Sequence, residues 1–235
     1  MALIDSGTSR PVNLLTGTSL TGTSIKERLT TFNRRRKWEM FIDQIKPGEK
    51  DRILDIGYTD LEYRSTDNLL EKLYPHRAMI TALGVDEPVQ FSRVYPDVKV
   101  VCYEGEWFPF DDASFDVAWS NAVLEHVGSE TSRSERQVLF LREIARVARR
   151  AFVTTPNRWF PVEIHTHTPF LHWLPKRYFD RYLSLRGQTW AAHDYMTLLS
   201  EQELKRVIAS AGISRYRLIK NRIGPFTADF VVIIE

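Results

Sequence analysis

Apolar positions along this chain fall into two kinds of run, and their alternation predicts the architecture. Short apolar stretches closed by glycine, proline or acidic residues read as buried strands. They are Arg52 to Gly57, Met79 to Val85, Val98 to Tyr103, Phe115 to Trp119, and Ala151 to Thr155 before Pro156-Asn157. Helical spacing recurs between them. Trp38, Phe41, Ile42 and Ile45 define one apolar face, ended by Pro47-Gly48. Leu69, Leu70 and Leu73 predict a second helix, and Val138, Leu141, Ile144 and Val147 a third. Capping-box spacing at Ser24–Glu27, Ser132–Glu135 and Ser200–Glu203 marks three helix starts. Strands alternating with helices predict an α/β domain whose parallel sheet is covered on both faces. The end of the chain differs. A helix carrying Leu204, Val207, Ile208 and Ala211 is closed by Gly212, and strands Arg215 to Ile219 and Asp229 to Ile234 follow. Their closeness, with Gly224-Pro225 between them, predicts an antiparallel pair.

Two segments depart from this pattern. Residues 1–24 are rich in Ser, Thr and Gly from position 5 onward and read as a flexible N-terminal segment ahead of a domain over 25–235. Residues 157–199 hold Pro161, Pro169 and Pro175 among many aromatics. Such an insert suits a cover over a pocket, or equally a satellite packing cluster.

Composition changes the picture little. Of 235 residues, 43% are hydrophobic and 26% charged, enough for one real core. With 32 basic and 30 acidic side chains the net charge is +2, which gives no general reason to expect nucleic acid or an anionic membrane. The run Arg34-Arg35-Arg36-Lys37 reads as a solvated helix face, or as a contact for an acidic substrate or phosphate. The single cysteine, Cys102, cannot form an internal disulfide, so a reducing, cytoplasmic setting is expected. No apolar run approaches the roughly 18 residues a spanning helix needs, and no signal-peptide order is seen.

In open α/β sheets ligands sit beyond the carboxyl ends of the strands. Here Asp55 and Gly57 close the first strand, Asp86 the second and Glu104 the third. The sequence from Tyr103 to Val127 adds Phe-Pro-Phe at 108–110, Ser-Phe-Asp at 114–116 and Val-Leu-Glu-His-Val at 123–127. That pattern resembles class I S-adenosylmethionine-dependent methyltransferases of type 11, the kind that includes ubiquinone- and menaquinone-biosynthesis enzymes. Residues 140–147 and Thr154-Thr-Pro-Asn157 fall where that family places its next helix and strand. The resemblance implies a Rossmann-like sheet of seven strands, order 3-2-1-4-5-7-6, with the seventh antiparallel. It implies S-adenosyl-L-methionine as cofactor. Asp55 and Gly57 would lie by its methionine part, Asp86 on the ribose, and Glu104 and Gly105 at the adenine with Trp107 nearby. Asn121 would border the sulfonium and substrate. The family's first loop is Gly-x-Gly-x-Gly. Here it reads Gly57-Tyr58-Thr59-Asp60-Leu61, so Tyr58 joins the expected cofactor wall, where it and Asp60 stand to crowd or reshape it.

Methyl transfer needs mainly a positioned acceptor. For a hydroxyl acceptor a general base helps, and histidine suits neutral pH. His165, inside the aromatic insert, ranks first and His126 second. A divalent-metal site from Glu125, His126, Glu163, His165 and His167 is the weaker reading, so no metal is expected. The expected function is methyl transfer to a small molecule, with a hydroxyl oxygen the favoured acceptor, in small-molecule biosynthesis. The rival is a non-catalytic or repurposed member of the fold, motivated by the altered first loop.

Overall fold

The computed structural model describes residues 25–128, 133–162, 168–187 and 197–235. Seven strands form one sheet in the order β3-β2-β1-β4-β5-β7-β6. In chain order they are β1 (Ile53–Ile56), β2 (Ile80–Gly84), β3 (Lys99–Cys102), β4 (Phe115–Asn121), β5 (Ala148–Pro156), β6 (Tyr216–Ile223) and β7 (Phe226–Ile234). The first five are mutually parallel, and β7 runs antiparallel to both β5 and β6. Order and direction agree with the expectation drawn from the family resemblance.

The helices are α1 (Ile25–Ile45), α2 (Leu69–Leu73), α3 (Phe91–Val94), α4 (Arg133–Val147), α5 (Lys176–Leu185) and α6 (Glu201–Ser210). Side chains alternate across the strands into two cores. Leu54, Ala118, Val153 and Val232 join Leu141 and Ile144 of α4 and Leu204 and Ile208 of α6 on one face. Ile53, Val117, Trp119, Phe152, Val231 and Ile233 join Phe41 and Ile45 of α1 on the other. Trp119 and Phe152 stack at 5.1 Å, and Phe41 meets both rings edge-on. The Ser200 capping box forms, with Glu203 N–H donating to Ser200 Oγ and Ser200 N–H to Glu203. Ser24 and Ser132, at the two other predicted caps, lie outside the described residues.

One expectation fails instructively. The basic run is not a solvated face. Only Arg35 is exposed, and Lys37 is 4% exposed. The buried row of α1 is Asn33, Lys37, Phe41 and Ile45, half polar and half apolar. Lys37 pairs with Asp229 of β7 at 3.3 Å, and Asn33 donates to the same carboxylate at 2.7 Å. Asn221 of β6 donates to Asn33 at 2.6 Å. Each partner satisfies groups that would otherwise cost about 1–3 kcal/mol when buried. Ile42, placed on the apolar face by spacing, is instead exposed.

Candidate active site

The carboxyl ends of β1 and β4 carry the site. Gly57 follows β1 with φ 93°, and its N–H donates to Leu83 at 2.8 Å. A Cβ there would lie 2.5 Å from a methyl of Val123, so both conformation and space demand glycine. This one position of the family's glycine pattern is kept.

In the loop after it, Thr59 and Leu61 stand in the other two glycine places, and the side chains of Tyr58 and Asp60 turn away from the cleft that Thr59 lines. The Tyr58 ring packs into the core against Phe91, with centroids 4.7 Å apart. It also covers Gly84 so closely that a Cβ there would sit 2.5 Å from it. Its hydroxyl donates to the Asp86 carbonyl. Burial, and then the neighbouring Cys102, raise the phenol well above its ordinary value. Asp60 accepts the N–H groups of Gln90 and Phe91 at 2.7 and 2.9 Å, at the start of α3. Asn68 donates to and accepts from the Thr59 backbone. Asp67 accepts from Tyr63 and Arg64 N–H and pairs with Arg34 of α1. Short carboxylate and amide side chains thus act as local turn partners in place of conformationally free glycine.

This leaves a cleft of about 440 Å³, open solvent included, walled by Arg34, Asp55, Gly57, Glu71, Trp119 and Asn121. Thr154 of β5 donates to the Asn121 side chain at 2.8 Å and fixes it at the β4 end. Asp55 and Glu71 are both buried, 5% and 1% exposed. Burial first, and then the Glu71 charge, push the Asp55 carboxyl well above the carboxylate range. Glu71 is raised by its own burial, partly offset by a hydrogen bond from Asp55. Two buried carboxyl groups this close ionise together only at a cost, which is why both are raised.

The next strand ends follow the predicted pattern. Gly84 and Cys102 are paired neighbours in β2 and β3, so the segments leading to Asp86 and Glu104 leave the sheet side by side. Both carboxylates are exposed. Gly105 has φ 83°, and Trp107 is 62% exposed. Behind them Glu143 of α4 accepts from Phe108 N–H at 2.9 Å. Arg146 donates to the Phe108 and Phe110 carbonyls at 3.1 and 2.8 Å. Burial would raise the Glu143 carboxyl, but Arg146 and the Phe108 N–H outweigh it and hold it low.

His126 sits in a single helical turn, Leu124–His126, just past Asn121. Glu163, His165, His167, His193 and Asp194 lie outside the described residues. Of the proposed metal set only Glu125 and His126 are described, and Thr155 donates to the buried Glu125 at 3.1 Å. The described part of the insert has a small core of its own, Phe179 and Leu183, while Trp159, Phe170 and Tyr178 are exposed. Among the described residues no helix is long and apolar enough to cross a membrane. Glu71 and Glu143 carried no sequence signal as site residues. Glu71 follows two leucines in a five-residue helix, and Glu143 reads as one polar position of a long amphipathic one.

Residues 69–151 match the family model described as a methyltransferase domain. The search among curated proteins gives no match. Solved structures share the fold at low identity. An S-adenosylmethionine-dependent methyltransferase from Aquifex aeolicus is 16% identical, with 90% of this chain and 98% of that chain covered and a TM-score of 0.53. The 1,6-didemethyltoxoflavin-N1-methyltransferase of Burkholderia thailandensis, solved with 1,6-didemethyltoxoflavin and S-adenosylhomocysteine, is 15% identical, with 86% and 76% covered and a TM-score of 0.51. The N-terminal domain of EvdMO1 with S-adenosylhomocysteine bound is 17% identical, with 86% and 80% covered and a TM-score of 0.50. Strand order and these structures identify the fold as that of S-adenosylmethionine-dependent methyltransferases, and residues 69–151 are similar to the methyltransferase-domain family.

Proposed function

We propose that the chain transfers a methyl group from S-adenosylmethionine to a small-molecule acceptor, with a hydroxyl oxygen as the favoured nucleophile. The observation that carries this reading is the cleft between Asp55-Gly57 and Asn121, with Asp86 and Glu104 at the adjoining strand ends. The buried carboxyl groups of Asp55 and Glu71, which line the same cleft, fit a polar ligand there. The cofactor, when bound, supplies an electrophilic methyl on a sulfonium. Asp86 accepts from ribose hydroxyls, Glu104 and Gly105 border the adenine, and Asp55 and Gly57 meet the amino-acid end. Trp107 shields the adenine side. Tyr58 acts indirectly, holding the β2 end through the Asp86 carbonyl. Asn121 borders the reacting centre, and His165 or His126 takes the proton of the acceptor. The lone, exposed Cys102 suits a reducing, cytoplasmic setting.

The altered first loop favours a repurposed, non-catalytic protein. Against that reading, the Tyr58 ring and Asp60 are turned out of the cleft. Calorimetry with S-adenosylmethionine and S-adenosylhomocysteine separates the two. Binding of both is expected, and no heat at high micromolar ligand would sink the enzyme reading. Once an acceptor is known, full turnover by both His165→Ala and His126→Ala would remove the base assignment.

A further inference from the structure

Over the whole chain basic and acidic side chains nearly cancel, but the insert after β5 departs from that balance. Across residues 158–162 and 168–187 five side chains are basic, Arg158, Lys176, Arg177, Arg181 and Arg186, and only Asp180 is acidic. The same stretch leaves large apolar side chains in solvent. Trp159, Phe170 and Trp173 are all exposed yet touch one another. Their ring centroids lie 6.1 Å apart for Trp159–Trp173 and 5.0 Å for Phe170–Trp173, both pairs edge-on. Leu174 and Pro175, also exposed, lead from this cluster into α5. That helix buries Phe179 and Leu183, which fixes its orientation. A second stripe runs beside them, Tyr178, Tyr182 and Leu185, and Leu185 is 81% exposed. Helical geometry sets Arg177 and Arg181 on one side of this stripe and Arg186 on the other. The Arg177 guanidinium lies 4.6 Å from the Tyr178 ring centre, and that of Arg186 6.0 Å from the Tyr182 ring centre.

We propose that this surface docks on an anionic phospholipid bilayer. Trp159, Phe170, Trp173 and Leu185 enter the headgroup boundary, while Arg177, Arg181 and Arg186 stay level with the lipid phosphates. An apolar centre with a cationic rim suits that boundary, because rings and aliphatic groups gain by leaving water and guanidinium groups gain by meeting phosphate. The proposal is independent of the methyl-transfer reading. Charge and shape select this occupant over two others. A second copy docked by the same face would set two basic rims against each other. Nucleic-acid bases stack on ring faces, whereas these rings pack edge-on against one another and share the surface with aliphatic Leu174 and Leu185.

The test is co-sedimentation of the full chain with vesicles. One set is phosphatidylcholine alone, and the other contains about one-third phosphatidylglycerol. The parent should bind the anionic vesicles at least about tenfold more tightly than the neutral ones, and the preference should shrink at about 0.5 M salt. Replacing Arg181 and Arg186 together by glutamine should weaken binding to anionic vesicles roughly twentyfold, since each basic group near the surface contributes about a fivefold factor. Leu185→Ser should weaken it about tenfold by removing an apolar anchor, and Trp159→Ser by a similar factor. Leu185 is the more exposed of the two, so its variant still decides the matter should Trp159→Ser fail to fold, as circular dichroism would show. A parent that stays in the supernatant with anionic vesicles at low salt overturns the proposal. Parent-like binding by both the arginine double variant and Leu185→Ser does so too, because the contact then lies elsewhere on the chain. Concentration-dependent self-association, or binding of a single-stranded oligonucleotide, in place of vesicle binding would assign the surface to a different occupant and equally refute it.

Discussion

Two loops at the carboxyl edge of the sheet are held in place by different chemistry. In the loop proposed to border the adenine, residues 104–110 keep the pattern of the resembling family, and the loop is gripped from outside. Glu143 and Arg146 of α4 hold the backbone of Phe108 and Phe110. In the loop proposed to meet the methionine part, residues 57–68 keep one glycine of three, and the loop is gripped from within. Asp67 and Asn68 take up its backbone N–H and carbonyl groups, Asp60 ties it to the N–H groups of Gln90 and Phe91, and Tyr58 folds into the core. The side chains between the glycine positions, which could crowd this wall, have somewhere else to go. Tyr58 has the space over Gly84, and Asp60 has the free N–H groups at the start of α3.

The comparison can be broken most strongly at Glu143. Glu143→Ala leaves Arg146 and the Phe108 N–H without their buried partner and should cost about 2–4 kcal/mol, read by denaturant unfolding. A change within error would show that the adenine loop stands without its external grip. Asp86→Ala is next. Loss of a carboxylate accepting from ribose should weaken S-adenosylhomocysteine by about 1.5–3 kcal/mol, roughly tenfold to a hundredfold. Parent-like affinity in calorimetry would remove the ribose assignment.

Asp60→Ala tests the internal grip. It frees two N–H groups at the α3 start and should cost about 1 kcal/mol, with a larger fractional loss of ligand affinity than an exposed control such as Glu87→Ala. An unchanged unfolding midpoint would argue that the loop does not depend on this contact. The smallest effect concerns pH. Asp55 has its folded pKa raised above its unfolded value, so the native state holds the proton longer. Its contribution to stability is full below the unfolded value of 3.8 and is lost as pH rises through the folded pKa. Glu71→Gln should therefore unfold later than the parent at neutral pH, by on the order of 1 kcal/mol, and converge with it in acid. A parent-minus-variant difference that grows toward acid would have the wrong sign.

The sequence by itself determined the strand and helix succession, because each strand is a short apolar run and most helices show a repeating apolar face. It also placed Asp55, Gly57, Asp86 and Glu104 at strand ends, since a carboxylate or glycine closing an apolar run is visible without coordinates, while Asn121 came only from the family resemblance. It could not decide where long polar side chains turn. Arg34-Arg35-Arg36-Lys37 looks like one basic face, yet the helix sends Arg34 to Asp67, Arg36 to the Arg222 carbonyl and Lys37 into the core. Tyr58 and Asp60 looked like obstacles in the cofactor wall, and their partners lie about 30 residues away in the chain, near the β2 end and at α3. Glu71 carried no signal in the sequence, and only the packing of its helix sets it beside Asp55. Backbone succession follows from local periodicity. The direction of a polar side chain follows from whichever partner the assembled sheet brings within reach, and that was settled only in three dimensions.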